Sequence, residues 1–506
     1  MFIVALPTLA LAAIIVLIVI AFAMANSDYQ DGKRAPGPRA WPIIGGIPFM
    51  AKFKDSTEAF SALAKQYGHI ASIKLGVMDC VVLSGYKTFR KVLCSTCFDA
   101  RPDFKRINMM FGGDRNNSLA FTDFTDTHHK SRNLIAAFSL ARNTSSLFET
   151  LDIVSTENIV RLVEQVKTEA EKNQSVPLKN MLEKSIAKTF LTYFCSTEVE
   201  ENEEFDQFVE AFNTIFEEVN QPCVGDILPF FMNFISKDDV VKASQVIRHF
   251  VHEKCVEPRL AERKMRAEQM IDENNNKTEK SEDSSAEIVD LLDAFLHTAE
   301  TSSDLTIDQA LFALEDMLGG HSAVCHTIIR MLTYIAGNTE VQNKIREEAR
   351  ANSTGVATMT SKLQYTEATA WECLRHISSQ IVPHKATEDT EIDGYQVKKD
   401  TVVMFNNYDL HFSPELWDQP EEFKPERFLT EGGTRLMKPD FFVPFSTGRR
   451  VCLGQKILMK MSVTIIANLC QAFEIGLDSE QDYSVPRCCL AVGNKPFKFN
   501  FTKLDS

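Results

Sequence analysis

Near the end of the chain, residues 442–458 read FVPFSTGRRVCLGQKIL. One cysteine, Cys452, stands between a Gly-Arg-Arg turn and the start of a periodic apolar run. A thiolate is a strong donor to soft and borderline metals. No second cysteine or histidine stands nearby, so the stretch cannot build a zinc site or an iron–sulfur cluster. It can supply the single axial ligand of a metal whose four other positions are already filled, as the pyrrole nitrogens fill them in haem. The flanking residues suit that chemistry. Gly448 permits a tight turn that brings amides toward the sulfur. Arg450 can pair with an acidic propionate. Gly454 lets a helix backbone lie against a flat ring, and Phe445 can shield the sulfur from water. Ile457, Met461, Ile465 and Leu469 recur at helical spacing, which sets the positive end of a helix dipole beside Cys452.

Phe445, Gly448, Arg450, Cys452 and Gly454 together spell F-x-x-G-x-R-x-C-x-G, and this resembles the haem-binding signature of the cytochrome P450 family. Glu372 and Arg375, spaced to share a helix face, and Arg427 in PERF resemble the charge cluster that braces the cysteine loop in that family. The resemblance implies haem with an axial thiolate from Cys452. It also implies further propionate partners. Arg132 matches the arginine of the family's W-x-x-x-R motif, with His128 where tryptophan usually stands, still able to hydrogen-bond a carboxylate. Arg101 and His384 stand where members often carry a propionate partner, and for these two a plain surface role stays open.

The elements that must position these groups are mainly helical. Residues 69–85 predict a strand pair turning at Gly76, and 390–406 a hairpin turning at Asp393-Gly394. Thr306 with Gln309 predicts a capping box, and Gly337 a stop, for a helix of about thirty residues, roughly 45 Å long at 1.5 Å per residue. The fold class expected is mainly α with small β-sheets; the resemblance makes it the triangular helical prism of the P450 fold.

Within the long helix stand Gly319 and Gly320, each costing about 1 kcal/mol against alanine. They fit either a close helix–helix contact or a groove for dioxygen and water. The family usually carries A/G-G-x-D/E-T here. This chain reads Gly319-Gly320-His321-Ser322-Ala323, so the acid and the alcohol are both lost. Gly320, Ser322 and His321 are the catalytic candidates: Ser322 can hold a water, and His321 can relay a proton or simply be packed or exposed. Three consequences stay open: a substrate hydroxyl completes the proton chain, the reaction attacks a carbonyl without proton delivery, or dioxygen is not used. The stretch GGHSAV also resembles the Spook-type P450s of arthropod ecdysteroid synthesis, which implies an early step from 7-dehydrocholesterol.

Residues 2–25 carry no charge and are long enough to cross a bilayer of about 30 Å. With Lys33, Arg34 and Arg39 following, they predict a transmembrane signal anchor with the body cytosolic. Residues 33–46 read as a Pro/Gly-rich hinge and 47–506 as the catalytic domain. Residues 277–287 read as a polar surface loop. A net charge of −15 argues against a nucleic-acid surface. The apolar segments 107–113 and 226–235 fit either bilayer contact or core. The resemblance places Ile381, Val382, Leu490 and Val492 around a sterol-sized pocket. It also implies electrons from NADPH-cytochrome P450 reductase, docked by a basic patch of Lys130, Arg449, Lys456 and Lys460. A membrane-bound monooxygenase of the endoplasmic reticulum is the leading reading; an isomerase or dehydratase without dioxygen, and a non-catalytic haem protein, are the alternatives.

Overall fold

The structure is a computed structural model that describes residues 33–221, 223–235, 237–275, 288–302, 305–433 and 435–504. The anchor expected at 2–25 and the polar loop expected at 277–287 lie outside the described residues. Among the described residues no helix is long and apolar enough to cross a membrane.

Helices dominate. Those that shape the site are α1 (Asp126–Ser139), α2 (Ser146–Lys172), α3 (Leu178–Cys195), α4 (Glu203–Asn220), α5 (Asp238–Val251), α6 (Ile307–Ile335), α7 (Gln364–Ile377) and α8 (Gln455–Ala472). The central rod is α6. Its first turn is closed by the predicted capping box: Gln309 N–H donates to Thr306 Oγ1 and Thr306 N–H to Gln309 Oε1, both at 3.2 Å. Its end comes where Gly337 takes a φ of +78° and donates its N–H to Ile475 O. Such a backbone conformation is one glycine adopts without strain. Leu314, Ile328, Ile329 and Leu332 of α6 are buried in the main apolar core with residues of α3, α7 and α8.

Among the described residues three small sheets complete the fold, one of which joins β3 (Val176–Pro177), β9 (Lys498–Lys503) and β8 (Phe473–Leu477). Strands β1 (Ile70–Leu75) and β2 (Met78–Leu83) form the predicted antiparallel pair. Strands β5 (Thr390–Ile392) and β6 (Tyr395–Val397) form a hairpin whose Asp393 and Gly394 both have positive φ, as a two-residue turn of this kind requires. The expected hairpin over 390–406 is therefore shorter than anticipated. Its last part, β7 (Val402–Phe405), leaves it and pairs in parallel with β2, while β4 (His384–Lys385) adds on the other side of β7. Alternation alone cannot distinguish these partners, because parallel pairing is decided by packing across the chain. The Pro/Gly-rich stretch at 33–46 lies along β1, with Ser72 N–H donating to Pro36 O and Ser72 Oγ to Ala35 O.

The Glu372–Arg375–Arg427 cluster is formed and buried. Glu372 accepts two bonds from Arg375, at 2.8 and 2.9 Å, and one from Arg427 at 3.0 Å. It also accepts the Lys424 N–H, and Arg375 donates to His411 O. The bonds from Arg375, His376 and Lys424 overcome burial and hold the Glu372 carboxyl down at about 2. Removing one partner of such a buried pair costs about 3–5 kcal/mol, so Glu372→Ala should lower the unfolding temperature well beyond an exposed Glu→Ala control. Because the folded carboxyl titrates below its unfolded value of 4.5, the wild-type advantage over the variant should be full above that pH and shrink as pH falls toward about 2.

Candidate functional site

The Cys452 loop is built by backbone geometry. Gly448 has a φ of +73°, and a Cβ there would collide with the Leu93 carbonyl of the short helix Tyr86–Leu93. Only glycine satisfies both constraints. The chain then makes one 3-10 turn, Gly448–Arg450, and Cys452 N–H donates to Phe445 O at 3.0 Å. Burial raises the Cys452 thiol pKa; the Gly454 N–H, the Arg132 charge and the Gln455 N–H, at the start of α8, act against that and favour thiolate. The cysteine nonetheless keeps open surface. A side chain enclosed deeply enough to be desolvated, yet with free surface, faces an internal cavity.

Cationic side chains gather beside it. Arg101 is buried; its Nε donates to Ala120 O at 3.0 Å and its Nη1 to Val382 O and Pro383 O at 3.1 Å. Arg450 is buried, with Nη2 donating to Thr122 O at 2.5 Å. Arg132 reaches from α1 to donate to Val451 O at 2.6 Å, next to Cys452. His128 Nε2–H donates to Leu119 O at 2.9 Å, which leaves Nδ1 as the ring's acceptor; Arg450 Nη1 lies 3.3 Å from Nδ1 and 3.0 Å from Nε2. Burial and then the Arg450 charge hold His128 neutral, with a pKa pushed down to about 3. Burial and Arg132 press Arg450 to about 10, and burial with Arg450 and Arg132 lowers Arg101. The nearest carboxylates are engaged elsewhere, Asp99 with Arg449 at 2.7 Å and Asp123 with Arg115 at 2.7 Å. Among the described residues, the guanidinium groups of Arg101, Arg132 and Arg450 thus bond to carbonyls, and that of Arg450 also to His128, with no carboxylate at bonding distance; the Arg101 backbone N–H donates to Asp123 Oδ1 at 2.9 Å. His384 is buried, its Nδ1 held by Phe98 O at 2.7 Å and its Nε2 without a partner. The surface role left open for Arg101 and His384 is corrected: both are interior. A thiol facing a cavity, a cluster of cations short of anions and an orphaned imidazole nitrogen fit a buried metal ring that carries carboxylates.

On the distal side, the mid-section of α6 is buried from Ala310 to Leu332 except at Asp316, Gly319, Gly320 and Ala323. Their spacing of three and four sets them on one helix face. Gly319 and Gly320 are also packing positions: a Cβ at Gly319 would lie 2.9 Å from Phe212 of α4, and at Gly320 3.3 Å from Phe190 of α3. His321 and Ser322 project on the other side of the helix. His321 is buried, bonded through Nδ1 to Leu318 O at 2.7 Å and set edge-on to Phe212; burial lowers its pKa to about 4. Ser322 Oγ lies 3.5 Å from His321 Nε2. Asp316 lies outside the five residues of the family pattern, so that pattern does not point to it. Its i, i+3, i+4, i+7 relation to Gly319, Gly320 and Ala323 was the signal.

The other expectations divide. Segment 107–113 divides, with Ile107, Met110 and Phe111 buried and Met109 exposed, and Phe230, Phe231 and Phe234 of segment 226–235 are exposed. Ile381 and Val492 are buried and Val382 and Leu490 half-buried. In the basic patch, Arg449 is taken by Asp99 and lies 3.8 Å from the Phe124 ring centre, and Lys456 donates to Ala141 O. Both have partners within the fold, although Arg449 is exposed, as Lys130 is; Lys456 and Lys460 are half-buried.

The family model described as Cytochrome P450 matches residues 35–501. The chain belongs to the cytochrome P450 family. Among its relatives, Cytochrome P450 307a1 of Drosophila melanogaster is 33% identical over 483 residues, covering 89% of this chain and 85% of that protein. Steroid 17-alpha-hydroxylase/17,20 lyase of Peromyscus leucopus is 26% identical, covering 91% and 90%. Farnesoate epoxidase of Bombyx mori is 24% identical, covering 97% and 98%. A zebra fish cytochrome P450 solved with abiraterone matches with a TM-score of 0.70 at 20% identity, over 89% of this chain and 99% of that one, and shows the fold. The protein is a cytochrome P450 monooxygenase, of a family that carries haem held by a thiolate. In this P450, Gly448→Ala should keep its helical content by circular dichroism yet lose most of its haem on gel filtration, since the loop cannot close on Leu93 with a Cβ present.

Proposed function

We propose that this P450 holds haem through the Cys452 thiolate, with Phe445 and Gly454 against the ring, and oxidises an apolar sterol. Arg101, Arg132, Arg450 and His384 bind the propionates, and His128 orients Arg450. The observation that carries this reading is the buried cluster of cations without carboxylates beside an enclosed thiol: a dianionic ring resolves both. When bound, haem supplies dioxygen activation; the chain's own residues orient it, exclude water and set the charge of its edge.

Sterol chemistry is supported by the relatives named for steroid hydroxylation and by the apolar lining at Ile381 and Val492. Resemblance to the Spook-type enzymes, supported by the 33% identity with Cytochrome P450 307a1, makes 7-dehydrocholesterol the substrate to test, at an early ecdysteroid step. A flavoprotein, NADPH-cytochrome P450 reductase, delivers the electrons. Residues 2–25 anchor the protein in the endoplasmic reticulum, residues 33–46 link that anchor to the body, and residues 47–506 form the cytosolic catalytic domain. A second membrane contact is supported by one apolar face: Ile43 and Ile44, Val77 of the β1–β2 turn, and Phe230, Phe231 and Phe234 are all exposed, Phe234 by 82%. These segments are bonded together, Gly76 N–H to Ile44 O and Val77 N–H to Ile227 O. Exposed apolar surface of this kind inserts into a lipid interface.

The test is incubation with reductase, NADPH and 7-dehydrocholesterol, with the product identified by mass spectrometry. A product heavier by one oxygen supports the reading, while conversion without NADPH consumption favours an isomerase or dehydratase, for which the loss of the acid and alcohol at Ser322 and Ala323 speaks. Cys452→Ala should abolish the thiolate signature of the reduced carbon monoxide complex; a folded variant that keeps it overturns the ligand assignment. A protein lacking residues 2–25 should still bind liposomes, and serine at Phe230, Phe231 and Phe234 should weaken that binding several-fold in flotation.

A further inference from the structure

The mid-section of α6 offers its open face through four residues, and only one of them carries an ionisable group. Asp316 stands one turn before Gly319 and Gly320 and two before Ala323. Its Oδ2 accepts the Leu119 N–H at 2.6 Å and the Ser118 hydroxyl at 3.2 Å. Behind Ser118 is a separate cavity of about 360 Å³, lined by Ser118 with Asn116, Asn117, Thr122, Thr125 and Gln309 among others. Its lining is dense in hydroxyl and amide groups, which is the kind of space that holds ordered water. Ser118 therefore touches the polar cavity on one side and Asp316 on the other, and Asp316 shares a face with Ala323, the residue standing where the family's alcohol would be. Ser322, the residue at the family's acid position, projects from the opposite side of the helix.

We propose that Asp316 is the acid that feeds protons to the distal cavity, in place of the acid–alcohol pair this sequence lacks, with Ser118 and the polar cavity as its supply from solvent. The carboxylic acid gives one proton to an acceptor in the distal cavity and becomes a carboxylate; water in the polar cavity then returns one proton through the Ser118 hydroxyl, restoring the acid. No electrons move in either step. The proposal rests on the haem-thiolate reading above.

The environment suits a carboxyl that cycles near neutrality. Burial is the main cause raising the Asp316 pKa to about 7; the Leu119 and Ser118 bonds oppose it and the adjacent Glu315 adds to it. Glu315 is the one ionisable neighbour acting on it from α6, and it is engaged by Arg248 of α5 at 2.8 Å. The loop packed on Asp316 offers backbone amides and the Ser118 hydroxyl; the neutral His128 and the cationic Arg101 and Arg450 hang from its Leu119, Ala120 and Thr122 carbonyls. An acid near its pKa at working pH both donates and recovers a proton readily.

The deciding variant is Asp316→Asn, whose amide oxygen can still accept from Leu119 and Ser118, so the loop stays tied, but which has no proton to cycle. With reductase, NADPH and 7-dehydrocholesterol as probe, the wild type should release more peroxide per NADPH as pH rises through about 7. The variant should release several-fold more at pH 6 and show no such pH dependence, with an unchanged carbon monoxide spectrum. Ser118→Ala should show the same trend more weakly. Independently of turnover, the folded carboxyl titrates above its unfolded value of 3.8. The variant's unfolding temperature should therefore gain on the wild type as pH rises from about 4 to about 7 and level off above that. A variant with wild-type peroxide release and pH profile overturns the proposal, and so does a flat stability difference. Loss of the thiolate spectrum in the wild type itself would overturn the haem-thiolate reading and the proposal with it.

Discussion

Buried positive charge without its own carboxylate is the constraint on which this structure turns. Arg101, Arg132 and Arg450 lie close enough to depress one another, and their donors are satisfied mainly by carbonyl oxygens. Carbonyls meet the hydrogen-bonding demand, while Asp99 and Asp123 offset only part of the charge on Arg101 and Arg450 without bonding their guanidinium groups. Such a region is held ready for a dianion. One of these charges, Arg132, favours thiolate at Cys452, with the Gly454 and Gln455 amides at the start of α8 acting the same way. The arginine cluster and the Cys452 thiol are thereby biased together.

The segment 118–122 does most of the positioning. Its carbonyls take Arg101, His128 and Arg450, while its Leu119 N–H and Ser118 hydroxyl take Asp316 of α6. Five residues thus join the cofactor cradle to the distal helix. A shift of this loop would be felt both at the arginine cluster and at Asp316. The Glu372 network performs a comparable service on the other side of the fold by fixing α7 to the segment that carries Arg427.

Much of this was legible in the chain as text. The Phe445–Gly454 signature is local, since a loop closed by glycine and followed by a helix needs only consecutive residues. The α6 capping box, the Gly337 stop and the Asp393-Gly394 turn are local for the same reason, and each appears at the expected residues. Glu372, Arg375 and Arg427 were found because their order, not their spacing alone, matched a pattern. What escaped was non-local. Arg101 and His384 are single polar residues whose burial arises from segments about 280 positions apart meeting. The transfer of β7 from a hairpin to a parallel pairing with β2 depends on contacts across 300 residues.

Asp316 marks the boundary most clearly. Sequence determined the fold family, the thiol at Cys452, the long helix with its paired glycines and the absence of the usual acid and alcohol, because these follow from residue types at fixed short separations. The tertiary structure decided which side of that helix meets open space, which arginines are interior and which loop their donors reach. Those outcomes depend on how helices rotate and pack against distant partners, and a helical period gives relative angles between residues but not the direction in which the core lies.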